Sequence, residues 1–247
     1  MRTVVAALKA RVDPVGNSPY FRTLRDGSMT KEQFLETQIQ FFHAVIFFSR
    51  PMAALVGRIP RPQMRVALLE NLGDEHGSGR LTVCHENTFL ELLARLGVDR
   101  PEVDRRALWP EVRAFNSALL ATCAHDDVYT GLAALGIIED MFSGISADIG
   151  QSIAARQWLK RRDIVHYATH ETLDVAHAEG FYASLYEPYE RHPRWRYQIE
   201  QGLELGAYIF LRLYDDLWRA RDRQWTRDVH GPHSLSDGSW LDGMGER

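Results

Sequence analysis

The chain has 247 residues, 45% of them hydrophobic, with 29 Lys+Arg set against 33 Asp+Glu for a formal net charge of -4. That is enough apolar material for one sizeable core, and the mildly acidic balance, with no isolated basic block, argues against a nucleic-acid partner. Cys84 and Cys123 are the two cysteines; they make neither a disulfide framework nor a CxxC pair, which fits a reducing, cytoplasmic setting.

In chain order, "MRTVVAALKARVDPVG" is too short to cross a membrane, lacks a clear cleavage site, and reads as a first helix or packing arm. "SMTKEQFLETQIQFFHAVIFFSRPMAALVG" opens with Thr30 and Gln33 in capping-box spacing, and Pro51 is expected to kink or divide it. "RPQMRVALLENLGDEHG" is a further helix, stopped near Gly77 and Gly79, and "CHENTFLELLARLGV" is another, ending at Gly97. "WPEVRAFNSALLATCAH" follows with Pro110 in its first turn. The apolar "DVYTGLAALGIIEDMFSGISADIG", the histidine-bearing "RRDIVHYATHETLDVAHAEGFYASLYE" and the long "PRWRYQIEQGLELGAYIFLRLYDDLWRARD" complete the series. No alternating strand pattern intervenes, and no segment reaches the ~18 apolar residues of a membrane span. The expected fold is an all-α bundle of seven or eight helices joined by short loops. It forms one domain over residues 1–222, and a Gly- and Ser-rich tail, 223–247, is expected to be mobile.

The chemistry concentrates in "HYATHETLDVAH", residues 166 to 177. At ~100° and ~1.5 Å per residue, His170, Asp174 and His177 share one helix face, with the two histidines ~10.5 Å apart along the axis. That separation suits two ions, one per histidine, with Asp174 able to reach either. Solvated histidines on a polar face are the competing reading, but Leu173, Val175 and Ala176 mark a packed helix, and a buried polar stripe needs partners. His166 extends the stripe as a donor behind a ligand or as a core histidine. Glu139 lies at i+4 from Leu135 and i-3 from Phe142, on an apolar face where a lone charge is costly. A cation or an arginine would relieve it, and Asp140 is the neighbouring alternative. "ENLGDEHGSGRLTVCHENTF" offers Glu70, Asp74, Glu75, His76 and His85. On a continuous helix Glu75 and His85 would be ~15 Å apart; the break at "GSG" lets both turn inward.

"NLGDEHGSGRLTVCHENTFLELLARLGV", "IIEDMF", "HETLDVAHAEGFY" and "EQGLELGAYIFLRLYDDLW" together resemble the heme-oxygenase-like diiron oxidases, relatives of pyrroloquinoline-quinone synthase and of TenA-type proteins. The resemblance spans about residues 18 to 220. It implies a heme-oxygenase-like bundle of about seven helices and, by position, the ligands Glu75, His85, Glu139, His170, Asp174 and His177. It also implies two Fe(II) ions, with manganese as the alternative, and O2 as cosubstrate. The implied reaction is oxidation of a small amino or carboxylic acid by N-oxygenation, C–C cleavage or decarboxylation. An external electron donor is an allowed partner. Carboxylate and imidazole donors suit iron or manganese, and such ligands come from facing helices of a bundle.

Two further faces are candidates for substrate contact. Glu36, Gln40 and His43 fall at i, i+4 and i+7, with Ile39, Phe42, Ile46 and Phe47 nearby as apolar lining; interhelical polar contacts are the alternative. Glu204, Tyr208 and Arg212 share a face of the last helix, where Arg212 could clamp a carboxylate or pair with Asp216. Tyr167 and Tyr182 read as packing residues. Gly202 and Gly206 form a GxxxG spacing that would allow close approach at a homodimer contact. The competing functional readings are a cofactor-free oxidase like the quinone synthases and a helical metal- or ligand-binding protein without turnover.

Overall fold

The computed structural model describes residues 1–227, so the expectation for 228–247 lies outside the described residues. Eleven α-helical segments run in order among them: α1 Arg2–Val12, α2 Pro14–Asn17, α3 Pro19–Asp26, α4 Lys31–Arg58, α5 Pro62–Glu75, α6 His85–Leu96, α7 Arg100–Arg105, α8 Pro110–His125, α9 Val128–Ala155, α10 Val165–Arg191 and α11 Pro193–Ala220. No strand occurs among the described residues; an isolated antiparallel bridge joins Arg106 and Thr226. The all-α expectation holds. The count exceeds seven because α2, α3 and α7 are too short to show a helical period in sequence.

The helix ends follow local chemistry. Thr30 and Gln33 close a full capping box at α4, Oγ1 accepting from Gln33 N at 3.1 Å and Oε1 accepting from Thr30 N at 2.9 Å. Pro110 occupies the first turn of α8, and Gly97, at φ 105°, ends α6 in the left-handed conformation that glycine adopts without steric cost. Pro51 does not divide α4, which continues through it. Met52 and Leu55, both fully buried, anchor the second half to the core and offset the one hydrogen bond that proline removes.

Helix α9 is the spine. From Thr130 to Glu139 every residue is buried, and α10 and α11 pack along it. Contact with α11 is close because that face of α11 has glycines: a Cβ at Gly206 would lie 2.5 Å from Ala134 O and 2.6 Å from Ile137 Cγ2, and one at Gly202 would strike Thr130 O. The GxxxG spacing therefore serves packing within the chain, not the contact between copies expected from it. Helix α4 lies against α8, α6 and α5. Contrary to expectation, α4 contains an 18-residue window of mean hydropathy 1.4, long and apolar enough to cross a membrane by composition; half of it is buried in this core. Helix α3, unread in the sequence, contributes Tyr20, Phe21 and Leu24, all fully buried. The chain after α11 stays docked to residue 227: Ala107 N donates to Trp225 O at 2.8 Å and Arg227 N to Arg105 O at 3.0 Å.

Candidate metal centre

The six residues expected as ligands converge where α5, α6, α9 and α10 meet. Ser78, with φ 50°, stands between Gly77 at φ 65° and Gly79 at φ 86°, and this left-handed turn reverses the chain after α5. It places His85, at the start of α6, with Nδ1 3.0 Å from Glu75 Oε1. One helical turn apart on α10, His170 Nδ1 lies 2.9 and 3.0 Å from the two oxygens of Asp174. The His85 and His170 rings are 4.4 Å apart between centroids. His177 Nδ1 lies 3.8 Å from Asp174 Oδ1 and 3.9 Å from Glu139 Oε2. Glu139, Asp174 and His177 thus form a buried group able to hold a metal ion, each offering an atom within 4.8 Å of the others. Asp174, fully buried, touches both halves.

Burial and proximity shift several of these groups. Desolvation, with Glu139 and Glu75 near, holds the Asp174 carboxyl well above the usual range. Desolvation opposes the charge on Glu139, but His177, Asn71 and His170 outweigh it and its pKa falls. Burial likewise disfavours protonated His177, yet Glu139, Asp74 and Asp174 raise it to about 9. His85 is also raised, Glu75 overcoming its desolvation. His170 is depressed to about 3 by burial and by His85, and His166 is pushed well below its ordinary value by burial and both neighbouring histidines. The cluster holds protons between carboxylates and imidazoles at the positions a cation would neutralise.

A family model described as iron-containing redox enzyme matches residues 35–208. The chain belongs to this family. Its sequence is similar to 4-aminobenzoate synthase of Chlamydia muridarum, 24% identical over 161 residues, covering 65% of this chain and 67% of that protein. It is also 24% identical to pyrroloquinoline-quinone synthase of Granulibacter bethesdensis over 60% of this chain and 58% of the relative's length. Among solved structures, a domain of unknown function with a heme oxygenase-like fold from Shewanella denitrificans superposes with TM-score 0.72 at 19% identity, covering 90% of this chain and 91% of that one. A TenA homologue from Pseudomonas syringae gives TM-score 0.70 at 16% identity over 88% and 90%. These structures establish the heme-oxygenase-like fold.

The donors present suit the iron of the family name. Three carboxylates and three imidazoles, with no thiolate among them, match iron or manganese. His170 Nε2 and His177 Nδ1 are buried without hydrogen-bond partners, and buried ring nitrogens left unpartnered are costly. Glu139, Asp174 and His177 could hold an ion, with the Glu75–His85 pair and His170 beside them. Against this wall opens a narrow cavity, otherwise lined by Phe41, Ala44, Val45, Phe48, Phe115, Ile138, Phe142 and Phe210.

The five residues expected at the substrate, Glu36, Gln40, His43, Tyr208 and Arg212, do not line this cavity. Glu36 Oε2 pairs with Arg106 Nε at 2.9 Å, and Gln40 accepts from Trp109 N and donates to Ala107 O. His43 is buried beside Phe42, its carbonyl accepting from Asn116. This stripe sits roughly 120° around α4 from the Phe41, Ala44, Val45 and Phe48 face that meets the cavity, and it holds the α7–α8 segment instead. Ile39, Phe42, Ile46 and Phe47 do not line the cavity either. Tyr208 is 64% exposed, and Arg212 pairs with Asp216 on the surface at 2.9 Å. Glu204 faces outward to Arg11. Asp140, the alternative to Glu139, is turned away to Lys9 and Tyr182.

Sequence reasoning overlooked Asn71, whose Nδ2 donates to Glu139 Oε1 at 2.7 Å. Its spacing of four from Glu75 on the same helix face was the available signal. His166 Nδ1 meets Thr88 Oγ1 at 2.9 Å, with its ring 4.5 Å from that of His170, so it backs the site from outside the cavity.

Proposed function

We propose that this protein is an O2-activating non-heme diiron oxidase or oxygenase acting on a small carboxylic or amino acid. The observation that carries this reading is the buried cluster of Glu75, His85, Glu139, His170, Asp174 and His177, of which Glu75, His85, Glu139 and His170 form one wall of an otherwise apolar cavity and Asp174 and His177 lie behind it. Iron bound there would supply the electrons that reduce O2 and the positive charge that holds an anionic group.

The chain's own residues set the rest. The cavity wall has no lysine or arginine; its polar side chains are Glu75, His85, Glu139 and His170. An acid is therefore oriented with its head group toward that end and its apolar body among Phe41, Phe48, Phe115, Phe142 and Phe210. Those rings exclude water from the reacting end, which strengthens every electrostatic interaction there. Asn71 holds one oxygen of Glu139 and leaves the other toward His177. A cysteine nucleophile is disfavoured. Burial pushes the Cys123 thiol up to about 12, and neither cysteine lines the cavity.

The test is O2 consumption by Fe(II)-loaded protein across a panel of aliphatic and aromatic carboxylic acids and amino acids, with product analysis. O2 uptake stimulated by one acid, with stoichiometric oxidised product, supports the reading. Oxidation that proceeds equally well in rigorously metal-free protein would replace it with a cofactor-free oxidase.

A further inference from the structure

The last turn of α5 places Asp74 and Glu75 side by side, and they serve opposite halves of the cluster. Glu75 meets His85. Asp74 reaches across to α10, with Oδ2 3.2 Å from His177 Nε2, while its Oδ1 accepts from Ser78 Oγ at 2.9 Å. A carboxylate accepts only, so the bond to His177 takes an Nε2–H. That fixes which ring nitrogen faces the cluster. Nδ1 is the buried atom without a hydrogen-bond partner, and it points between Glu139 Oε2 and Asp174 Oδ1.

We propose that Asp74, held by Ser78, is a positioning residue that commits His177 to the tautomer in which Nδ1 binds the metal shared with Glu139 and Asp174. The role rests on the two-metal reading above. A metal takes the lone pair of a neutral imidazole, so the proton must sit on the other nitrogen, and a carboxylate behind a ligating histidine both orients the ring and raises its basicity. The device is local to this chain's turn. The left-handed Gly77–Gly79 segment that brings His85 back to Glu75 also delivers the Ser78 hydroxyl to Asp74. A Cβ at Gly77 would lie 2.8 Å from Cys84 N, so the turn has little freedom to place Ser78 elsewhere.

The experiment uses the full chain and two readouts. Mn(II) uptake by the metal-free protein is followed by the signal of free Mn(II) in electron paramagnetic resonance. Zn(II)-loaded, 15N-histidine-labelled protein reports the tautomer of His177. Wild type is expected to take two Mn(II) and to show His177 protonated at Nε2. Asp74→Ala should weaken one of the two sites by about 10–100-fold and lose the Nε2–H signature, with helicity unchanged by circular dichroism. Asp74→Asn should restore both, because its amide oxygen accepts the same bond. Ser78→Gly, which suits the positive φ, should weaken the site by a smaller factor. Two sites of wild-type affinity in Asp74→Ala would overturn the role. So would Asp74→Asn failing as badly as Asp74→Ala, which would make Asp74 a ligand. Wild-type protein that takes up no Mn(II) would remove the two-metal reading, and this role with it.

Discussion

Asp174 has two imidazoles within reach, His170 at 2.9 Å and His177 at 3.8 Å, and no exposure to solvent. Replacing it with alanine should therefore remove turnover, by at least about 100-fold on the scale of lost metal-ligand positioning, while the helical circular dichroism remains. His170→Ala and Glu139→Ala should behave alike. Arg212→Ala, by contrast, should leave kcat and KM unchanged in steady-state assays, because its partner is Asp216 on the surface. Loading should also release protons. Metal-free His177, raised to about 9, keeps its second proton at neutral pH, and the upward shifts of His85 and Asp174 act in the same direction. His170, depressed to about 3, has no second proton to lose. Metal affinity should thus rise with pH up to about 9 and fall as pH drops, with protons released on binding. Calorimetry of Mn(II) binding in buffers of different ionisation enthalpy measures the count. At this scale the α10 stripe and Glu139 were readable, because helical spacing alone places His170, Asp174 and His177 together. The outward turn of Tyr208 and Arg212 was readable too, from the apolar set Ile199, Leu203, Phe210 and Leu213 that α11 buries. Burial of that apolar face sets the rotation of α11 and turns Arg212 to the surface. The link from Asp74 to His177 depends on how two helices cross, which no spacing within either one encodes.

At the level of elements, α9 and α11 meet through backbone contact at Gly202 and Gly206. Gly206→Ala should cost about 1–3 kcal/mol, the usual penalty for overpacking a close contact. Gly144 provides the control: it lies inside α9 with nothing within 4 Å of a Cβ, so Gly144→Ala should stabilise by roughly 0.5–1 kcal/mol. Urea unfolding of both variants checks the pair. Long helices with caps were legible, as Thr30, Pro110 and Gly97 illustrate. Helices α2 and α7, of 4 and 6 residues, span too little chain to display a period. Their formation depends on what they pack against. The uninterrupted course of α4 through Pro51 has the same origin, since burial on either side outweighs the local preference for a break.

For the whole molecule, the expected domain edge at 222 cuts through a docked segment. Residues 223–227 pair with 105–107, and Arg223 joins Glu111 while lying over Trp109 and Trp225. A chain ending at 222 should melt roughly 3–8 °C below one ending at 227, as expected for losing a few net-favourable hydrogen bonds and their packing in a chain of this size. Differential scanning calorimetry of the two truncations measures it. The bundle and its single core were predictable because nearly every long segment is amphipathic or fully apolar. The docking of 223–227 was not, since "RQWTR" has the composition of a loop and is ordered by partners far away in sequence. The same architecture explains the centre. Four helices each contribute donors, and phenylalanines from α4, α8, α9 and α11 keep the cavity apolar. The diiron reading is tested most directly by an anaerobic Fe(II) titration followed by mixing with O2, read by Mössbauer spectroscopy and stopped-flow absorption. Two high-spin Fe(II) per chain are expected, lost in Asp174→Ala, with oxidation of the pair by O2 that a small acid accelerates. Failure to bind iron at any stoichiometry, or iron uptake that Asp174→Ala and Glu139→Ala leave intact, would contradict that reading.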